Sequence, residues 1–342
     1  MKLRYLLFPI ALVFGGITSL RRWLYKKGFF FLGKPDILTI CVGNLKMGGT
    51  GKTPHIEYFI RFLQDNDYKV ALLSRGYGRK TKGFLMLNDV PESEMTAEMV
   101  GDEPLQIHLK FPEIPIVLSE NRYEGYLKLR KERPEVNLLL LDDGFQHLSF
   151  SPTLKILLTE YETPFFEDAP FPAGNLREFP AASADADIII VTKCPDEISE
   201  EKADLYAQKM QIREDRHLFF SKFRYNPPEA KNHFARQANK ANLSKIILLT
   251  GIANPTPLKD YLLKEYKEVI HLNYPDHHQF TKKDIDQIIR KTATHFDPQT
   301  AIFTTEKDYA RLRCSELETQ LSQYPLFTVP VEVEFLFEGF SF

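Results

Sequence analysis

Residues 42 to 60, VGNLKMGGTGKTPHIEYFI, constrain the fold more than any other part of the chain. A short apolar run, ILTICVG (37 to 43), leads into a glycine-rich loop, and Ile56, Phe59, Ile60 and Leu63 behind it share one face of a helix. Strand, glycine loop and helix in that order let backbone N–H groups close around phosphate oxygens. Gly48, Gly49 and Gly51 permit the backbone shape, and the helix N-terminus adds partial positive charge. In this reading Lys46, Met47, Gly48, Gly49, Thr50, Gly51, Lys52 and Thr53 form a nucleotide cradle. The Lys52 ammonium reaches the β- and γ-phosphates and the Thr53 hydroxyl ligates Mg²⁺. Pro54 suits the first helical turn, where no intrahelical N–H bond is lost. One position departs from the P-loop pattern: Lys46 stands where the first glycine belongs. That slot needs a turn more than an absent side chain, so a loop can still form. The competing reading is a plain glycine-rich turn between strand and helix.

The runs KVALLS (69 to 74), IPIVLS (114 to 119), VNLLLLDD (136 to 143), LKILLTE (154 to 160) and ADIIIVTK (186 to 193) are apolar without alternation and end at polar loops. Strands buried on both faces of a parallel sheet read this way. Right-handed crossovers then place their carboxyl ends along one edge, where ligands bind. The expected fold is α/β: a P-loop NTPase-like parallel sheet with helices on both faces (34 to 225) and a smaller C-terminal α/β domain (245 to 342). The Pro-containing polar stretch 226 to 244 reads as a linker, and 1 to 33 as a membrane-associated helix. The smaller unit is expected to hold KIILLTG, EVIHLNY, a helix near 281 to 295, AIFTTEKD and PLFTVPVEVEF.

In LLLLDDGFQH (138 to 147) Asp142 and Asp143 emerge at the carboxyl end of a buried strand. Adjacent carboxylates repel unless a cation sits beside them, and Mg²⁺ is the obvious one. An acidic turn is the alternative. A formal net charge of −2 supplies no global field for nucleic acid, so anion selectivity must come from local clusters. Cys41, Cys194 and Cys314 are too scattered for a zinc site or a disulfide framework and fit a reducing compartment. Within residues 1 to 33, the apolar stretch Tyr5 to Leu20 is short of the ~20 residues that span a bilayer comfortably. Arg21, Arg22, Lys26 and Lys27 follow it, with Trp23, Tyr25 and Phe29 to Phe31 among and behind them, a membrane-surface composition. The alternative is an amphipathic helix packed on the protein's own core.

Further stretches then align in order: GNLKMGGTGKTP (43 to 54), LLSRGYGR (72 to 79), GDEP (101 to 104), LDDGFQH (141 to 147), PAGNLRE (172 to 178), VTK (191 to 193), YPDHHQF (274 to 280) and TTEKD (304 to 308). Together they resemble the tetraacyldisaccharide 4'-kinases of lipid A biosynthesis, over residues 1 to about 320. The resemblance implies transfer of phosphate from ATP, with Mg²⁺, to the 4'-hydroxyl of a tetraacylated glucosamine disaccharide 1-phosphate. It also implies a peripheral site on the cytoplasmic face of the inner membrane. Such loops usually carry a small polar residue at the position of Lys46, so the departure is largely a family trait; Lys46 itself is left open to nucleotide, lipid phosphate or solvent.

The same resemblance makes Asp102 the base for the sugar hydroxyl and His277 its dyad partner, with His278 a weaker rival by adjacency. Asp142 and Asp143 hold Mg²⁺ while Gln146 and His147 line their loop. Arg177 and Glu178 match a segment near the nucleotide, where Arg177 neutralises phosphate and Glu178 reaches the metal shell. Ser74, Arg75, Tyr77, Arg79, Asn121 and Arg122 are candidates for the disaccharide and its 1-phosphate, against the alternative of a solvated charged loop. Two rivals stand beside this reading. A membrane-recruited P-loop ATPase switch of the partitioning or cell-division type carries Lys immediately before the double glycine, where this chain has Met47. A nucleotide-binding scaffold without transfer chemistry would leave GDEP and the DHH stretch without a task.

Overall fold

The apolar runs become strands, and the β-strand labels follow the chain. They are β1 (Leu38–Asn44), β2 (Val70–Ser74), β3 (Leu85–Met86), β4 (Ile116–Leu118), β5 (Leu138–Asp142), β6 (Leu154–Glu160), β7 (Ile188–Thr192) and β8 (His217–Tyr225). Then come β9 (Glu229–Ala230), β10 (Lys245–Thr250), β11 (Glu268–Asn273), β12 (Thr300–Thr305), β13 (Leu326–Val329) and β14 (Val331–Leu336). The computed structural model describes residues 2–213, 216–295, 297–313 and 316–337. Among these residues one sheet has the order β14-β8-β7-β6-β1-β5-β2-β4-β3 and a second has β11-β10-β12-β13-β9. Only the edge pairs β14–β8, β3–β4 and β13–β9 are antiparallel. The carboxyl ends of β1, β2, β5, β6 and β7 therefore lie along one edge of the large sheet.

The P-loop helix, Lys52–Asp65, shows why that edge is firm. Ile56, Phe59, Ile60 and Leu63 are fully buried and pack with Val42, Leu72, Leu140 and Ile156 from the strands beneath. Each such side chain contributes on the order of 1.5–3 kcal/mol when taken from water. A second cluster built on Ile247, Leu249, Ile285, Ile288 and Ile302 forms a separate core for the smaller sheet.

The sheets divide the chain differently from its composition. The stretch 226 to 244 carries β9 and the helix His233–Gln237, both attached to the second sheet. The run PLFTVPVEVEF splits at Pro330: β13 stays in the second sheet, and β14 returns to pair with β8 in the first. Proline cannot donate to a ladder, so the break falls there. Strand β8 lay outside the expected set because its sequence, HLFFSKFRY, mixes charge into the run. Cys41 and Cys194 are buried free thiols, and Cys314 lies outside the described residues.

The N-terminal helix, Phe8–Lys26, buries only Ala11, Gly15 and Arg22. Its apolar side chains, among them Ile10, Leu12, Val13, Ile17 and Leu20, are exposed, the reverse of a helix packed on its own core. Gly15 is required by close approach: a Cβ there would lie 2.4 Å from the Phe179 ring. No helix among the described residues is long and apolar enough to cross a membrane.

Candidate active site

The glycine loop leaves β1 at Asn44, whose side-chain amide donates to the Thr50 hydroxyl at 2.8 Å. Gly48 and Gly51 have φ of 115° and 86°, values that L side chains rarely adopt. Thr192 at the end of β7 donates from its hydroxyl to the Thr50 carbonyl at 2.9 Å, and Met47 N–H donates to Asn175 at 2.8 Å. The loop is thus held from β1, from β7 and from the segment 175 to 177. Lys46 turns to Glu160 at 2.6 Å and Thr163 at 2.5 Å, and Lys193 meets the same Glu160 while donating to the Gly49 carbonyl. The departure at Lys46 therefore serves as a tie between loop and sheet.

Lys52 lies 3.7 Å from Asp143, which also accepts from Arg177 at 2.8 Å. Arg177 in turn reaches the Gln146 amide oxygen at 3.2 Å, so Lys52, Asp143, Gln146 and Arg177 form one corner. Burial pushes the Asp143 carboxyl up, but Lys52 and Arg177 outweigh it and hold the group below the usual range. Asp142 behaves oppositely: burial, then the charges of Glu103 and Asp143, raise it to about 7. Ser74 donates to Asp142 at 2.9 Å, which gives that serine a task in orienting the acid.

This excess of buried negative charge beside hard oxygen donors suits Mg²⁺. The Thr53 hydroxyl, Asp142 and Asp143 are the residues that would hold it. No group of three or more His, Cys, Asp or Glu among the described residues forms a metal cage.

Asp102 is the first residue of the helix Asp102–Lys110, set by Gly101 with φ of 93°. It is buried, and His277 from the second sheet's loop reaches its Oδ2 through Nδ1 at 3.0 Å. Arg311, on the helix Glu306–Leu312, donates to the same oxygen from Nε at 2.8 Å and lies 2.7 Å away through Nη2. Burial raises the Asp102 carboxyl, yet His277 and Arg311 together hold it below its ordinary value. Among the described residues its side-chain hydrogen bonds all fall on Oδ2. Glu103 stands between the dyad and Asp142, since its charge acts on Asp142 and it lies 3.9 Å from Lys307.

Other expected residues are placed elsewhere. The Glu178 carboxylate, expected to reach the metal shell, instead pairs with Arg22 of the N-terminal helix, 2.9 Å from its Nε. Asn121 caps the helix Arg122–Glu132 by accepting from Glu124 N–H. His147 bonds Ser149 at 3.0 Å and lines a cavity of about 220 Å³ beneath the N-terminal helix, away from the glycine loop. Burial and then Arg122 lower that imidazole to about 4. His278 bonds Asp284 and stacks on Tyr274.

Arg75 and Tyr77 are exposed, with the Tyr77 ring 6.3 Å from that of His277. Arg79 is tied to Gly83 and Glu120, yet its Nε and Nη1 are buried without a hydrogen-bond partner among the described residues. Arg122 donates to the Ser119 and Glu120 carbonyls and leaves its Nε likewise unpartnered. Arg311, Lys307 and Glu103 were missed in the sequence. GDEP and TTEKD flag two of them by neighbourhood, whereas nothing local marks Arg311.

Comparison with known proteins bears on the same site. A family model for tetraacyldisaccharide-1-P 4'-kinase matches residues 3–340. A tetraacyldisaccharide 4'-kinase of Bacteroides thetaiotaomicron is 37% identical over 98% of this chain and 90% of its own. Its counterpart in Flavobacterium johnsoniae is 39% identical over 95% of this chain and 92% of its own. Among solved structures, "apo" form LpxK from Aquifex aeolicus in complex with ATP superimposes with a TM-score of 0.71. It is 26% identical and the match covers 98% of this chain and 95% of that one.

Proposed function

The chain belongs to the tetraacyldisaccharide-1-P 4'-kinase family, and from that premise we propose how its residues divide the work of phosphorylating a lipid disaccharide. The reaction is transfer of the ATP γ-phosphoryl group to the 4'-hydroxyl of a tetraacyldisaccharide 1-phosphate, with Mg²⁺ to neutralise phosphate charge. The glycine loop 46 to 53 cradles the nucleotide, and Lys52 and Arg177 leave Asp143 for phosphate oxygens. Asp142, Asp143 and Thr53 would hold the ion.

The substrate O–H bond breaks toward Asp102 as the O–P bond forms, and the bond to the leaving nucleotide breaks with its electron pair on the β-phosphate oxygen. Asp102 Oδ1 receives the proton because Oδ2 already accepts from His277 and Arg311. The observation that carries the reading is this dyad, joined across two sheets beside the metal acids. An ATPase switch or a scaffold has no use for it.

Arg75, Arg79, Arg122 and Tyr77 form the lipid headgroup side. The unpartnered guanidinium nitrogens of Arg79 and Arg122 support that assignment, since buried donors want an anion. The exposed apolar face of the N-terminal helix, flanked by Arg21, Lys26 and Lys27, lies in the bilayer interface on the cytoplasmic side of the inner membrane. A substrate that stays in the bilayer requires such docking.

Incubation of the full chain with ATP, Mg²⁺ and tetraacyldisaccharide 1-phosphate tests the assignment. Mass spectrometry should find one added phosphate at the 4'-position. Hydrolysis of ATP with unmodified lipid would favour the switch, and binding without turnover the scaffold. Replacing exposed Ile10, Val13 and Ile17 with serine should release the protein from anionic vesicles; continued sedimentation would place attachment elsewhere.

A further inference from the structure

TTEKD has no chemistry attached so far, yet its lysine touches the dyad. Thr305 caps the helix Glu306–Leu312 by accepting from Asp308 N–H at 3.0 Å, which fixes the first turn. Lys307 and Arg311 stand four residues apart and so share a face. From that face Arg311 holds Asp102, and Lys307 Nζ lies 3.2 Å from His277 Nε2. The other charged groups around the ring are Asp276, 3.8 Å from Nε2 and 3.9 Å from Lys307, and the Arg311 Nη2, 3.5 Å from Nδ1. That guanidinium nitrogen has its closer contact with Asp102 at 2.7 Å. His277 itself sits at φ 58°, an uncommon backbone state for a non-glycine residue, and Asp276 accepts from its N–H at 3.0 Å. Strain of this kind persists where surrounding contacts over-determine it.

An ammonium has three donors and no lone pair, whereas a neutral imidazole has one N–H and one acceptor nitrogen. Donation from Lys307 therefore requires the lone pair on Nε2 and puts the ring proton on Nδ1, where it is donated to Asp102. The other tautomer would set Nε2–H against an ammonium and an Nδ1 lone pair against a carboxylate oxygen. Two hydrogen bonds would become two repulsions.

We propose that Lys307 is a positioning residue that fixes His277 in its Nδ1–H tautomer, so that His277 orients Asp102 and is closed to service as the base. The proposal rests on Asp102 being the proton acceptor for the sugar hydroxyl. It makes the helix Glu306–Leu312 the source of two controls on that acceptor: Arg311 directly and Lys307 through the ring.

Full-length protein with ¹⁵N-labelled histidine in detergent micelles, compared with His277→Gln for assignment, tests this by long-range ¹H–¹⁵N correlation. The expected spectrum of the native chain has a pyrrole-type Nδ1 and a pyridine-type Nε2 for His277. Lys307→Met should mix the tautomers and lower kcat by about 10-fold, a fraction of the 10²–10⁴ attached to a general base, with KM for MgATP unchanged. Lys307→Arg should restore the native pattern. A native ring protonated at Nε2, or a Lys307→Met spectrum identical to the native one, overturns the proposal. If Lys307→Met does not fold, Lys307→Leu takes its place with the same expected mixing of tautomers. Because the spectrum needs no turnover, the two failures are distinguishable: the expected tautomer without lipid product would sink the kinase assignment, and with it the catalytic purpose of Lys307, while the lock on the ring itself would stand.

Discussion

The nucleotide corner and the dyad differ in how they are assembled. Lys52, Asp143, Gln146 and Arg177 all stand on one edge of one sheet, in segments that follow the neighbouring parallel strands β1, β5 and β6. Asp102, His277, Lys307 and Arg311 meet at a seam: one residue from the large sheet's helix layer and three from the small sheet's loops and helix. The chain leaves the large sheet after β8 and re-enters at β14, and Tyr225 is paired with Val331 at that crossing. Both crossings run side by side, so two adjacent lengths of chain join the sheets there. The corner is held within one sheet, while the seam joins residues carried by both. Damage at the corner should therefore register in phosphate handling, and damage at the seam in turnover and in cohesion between the sheets.

The largest expected effect breaks the seam at its centre. Asp102→Ala should lower kcat by ~10² to 10⁴, the range for a general base, with the dissociation constant for MgATP nearly unchanged. Near-native turnover would remove Asp102 from proton transfer. At the corner, Lys52→Ala should cost about 10² to 10³ in kcat/KM, as for loss of one charged donor at a transition state, and should weaken nucleotide binding as well. Equal nucleotide affinity in both variants would erase the contrast between the two regions.

The same contrast explains what could be read from the sequence. The corner was legible because a strand, a glycine loop and an acidic strand end each carry a local signature: GGTGKT for the loop, LLLLDD for the acids. The seam was legible only through resemblance, since nothing in GDEP or YPDHHQF states that Asp102 and His277 touch. Arg311 stayed hidden: an arginine within a short helix looks like any surface arginine until tertiary packing buries it. Glu178 shows the opposite failure. Its place in PAGNLRE pointed to metal, but Arg22 from the N-terminal helix claims the carboxylate, and a pairing across the fold leaves no local trace. Strand β14 was assigned to the small unit because sequence order suggested it; hydrogen bonding to β8 decides otherwise.

Arg311→Met separates cohesion from chemistry. It leaves the buried Asp102 and Asp308 carboxylates without their guanidinium, since Arg311 contacts both. Breaking a buried pair from one side costs about 3–5 kcal/mol, and the surviving His277 contact argues for the lower end. Chemical denaturation should therefore show a loss of about 3 kcal/mol. A loss confined to kcat, with native stability, would show that the seam is held elsewhere.

The smallest effect concerns the back of the seam, where Lys110 joins Glu57 on the P-loop helix to Glu306 on the small sheet's helix, at 2.6 Å and 2.8 Å. Burial, against the attraction of Lys110, raises Glu57 from its ordinary 4.5 to about 7. A raised carboxyl binds its proton more tightly in the folded chain, so its contribution to stability is complete below pH 4.5 and is lost as pH rises through about 7. Asp142, raised to about 7 at the corner, pulls in the same direction. Lys110 is pulled down by burial and lifted more by its two glutamates, but it titrates far above this window. Together they add a downward slope to the melting midpoint between about pH 5 and pH 7, which His55 and His147, both lowered by burial from 6.5 to about 4, oppose up to about pH 6.5. Glu57→Gln keeps an oxygen for Lys110 and should flatten part of that slope, by on the order of 2 °C. Asp142→Asn should remove the remainder, and the double variant the whole, because the two sites are separate and their effects should add. A pH dependence of the midpoint that is the same in the native chain and in both variants would mean that neither region stores its charge in the way described.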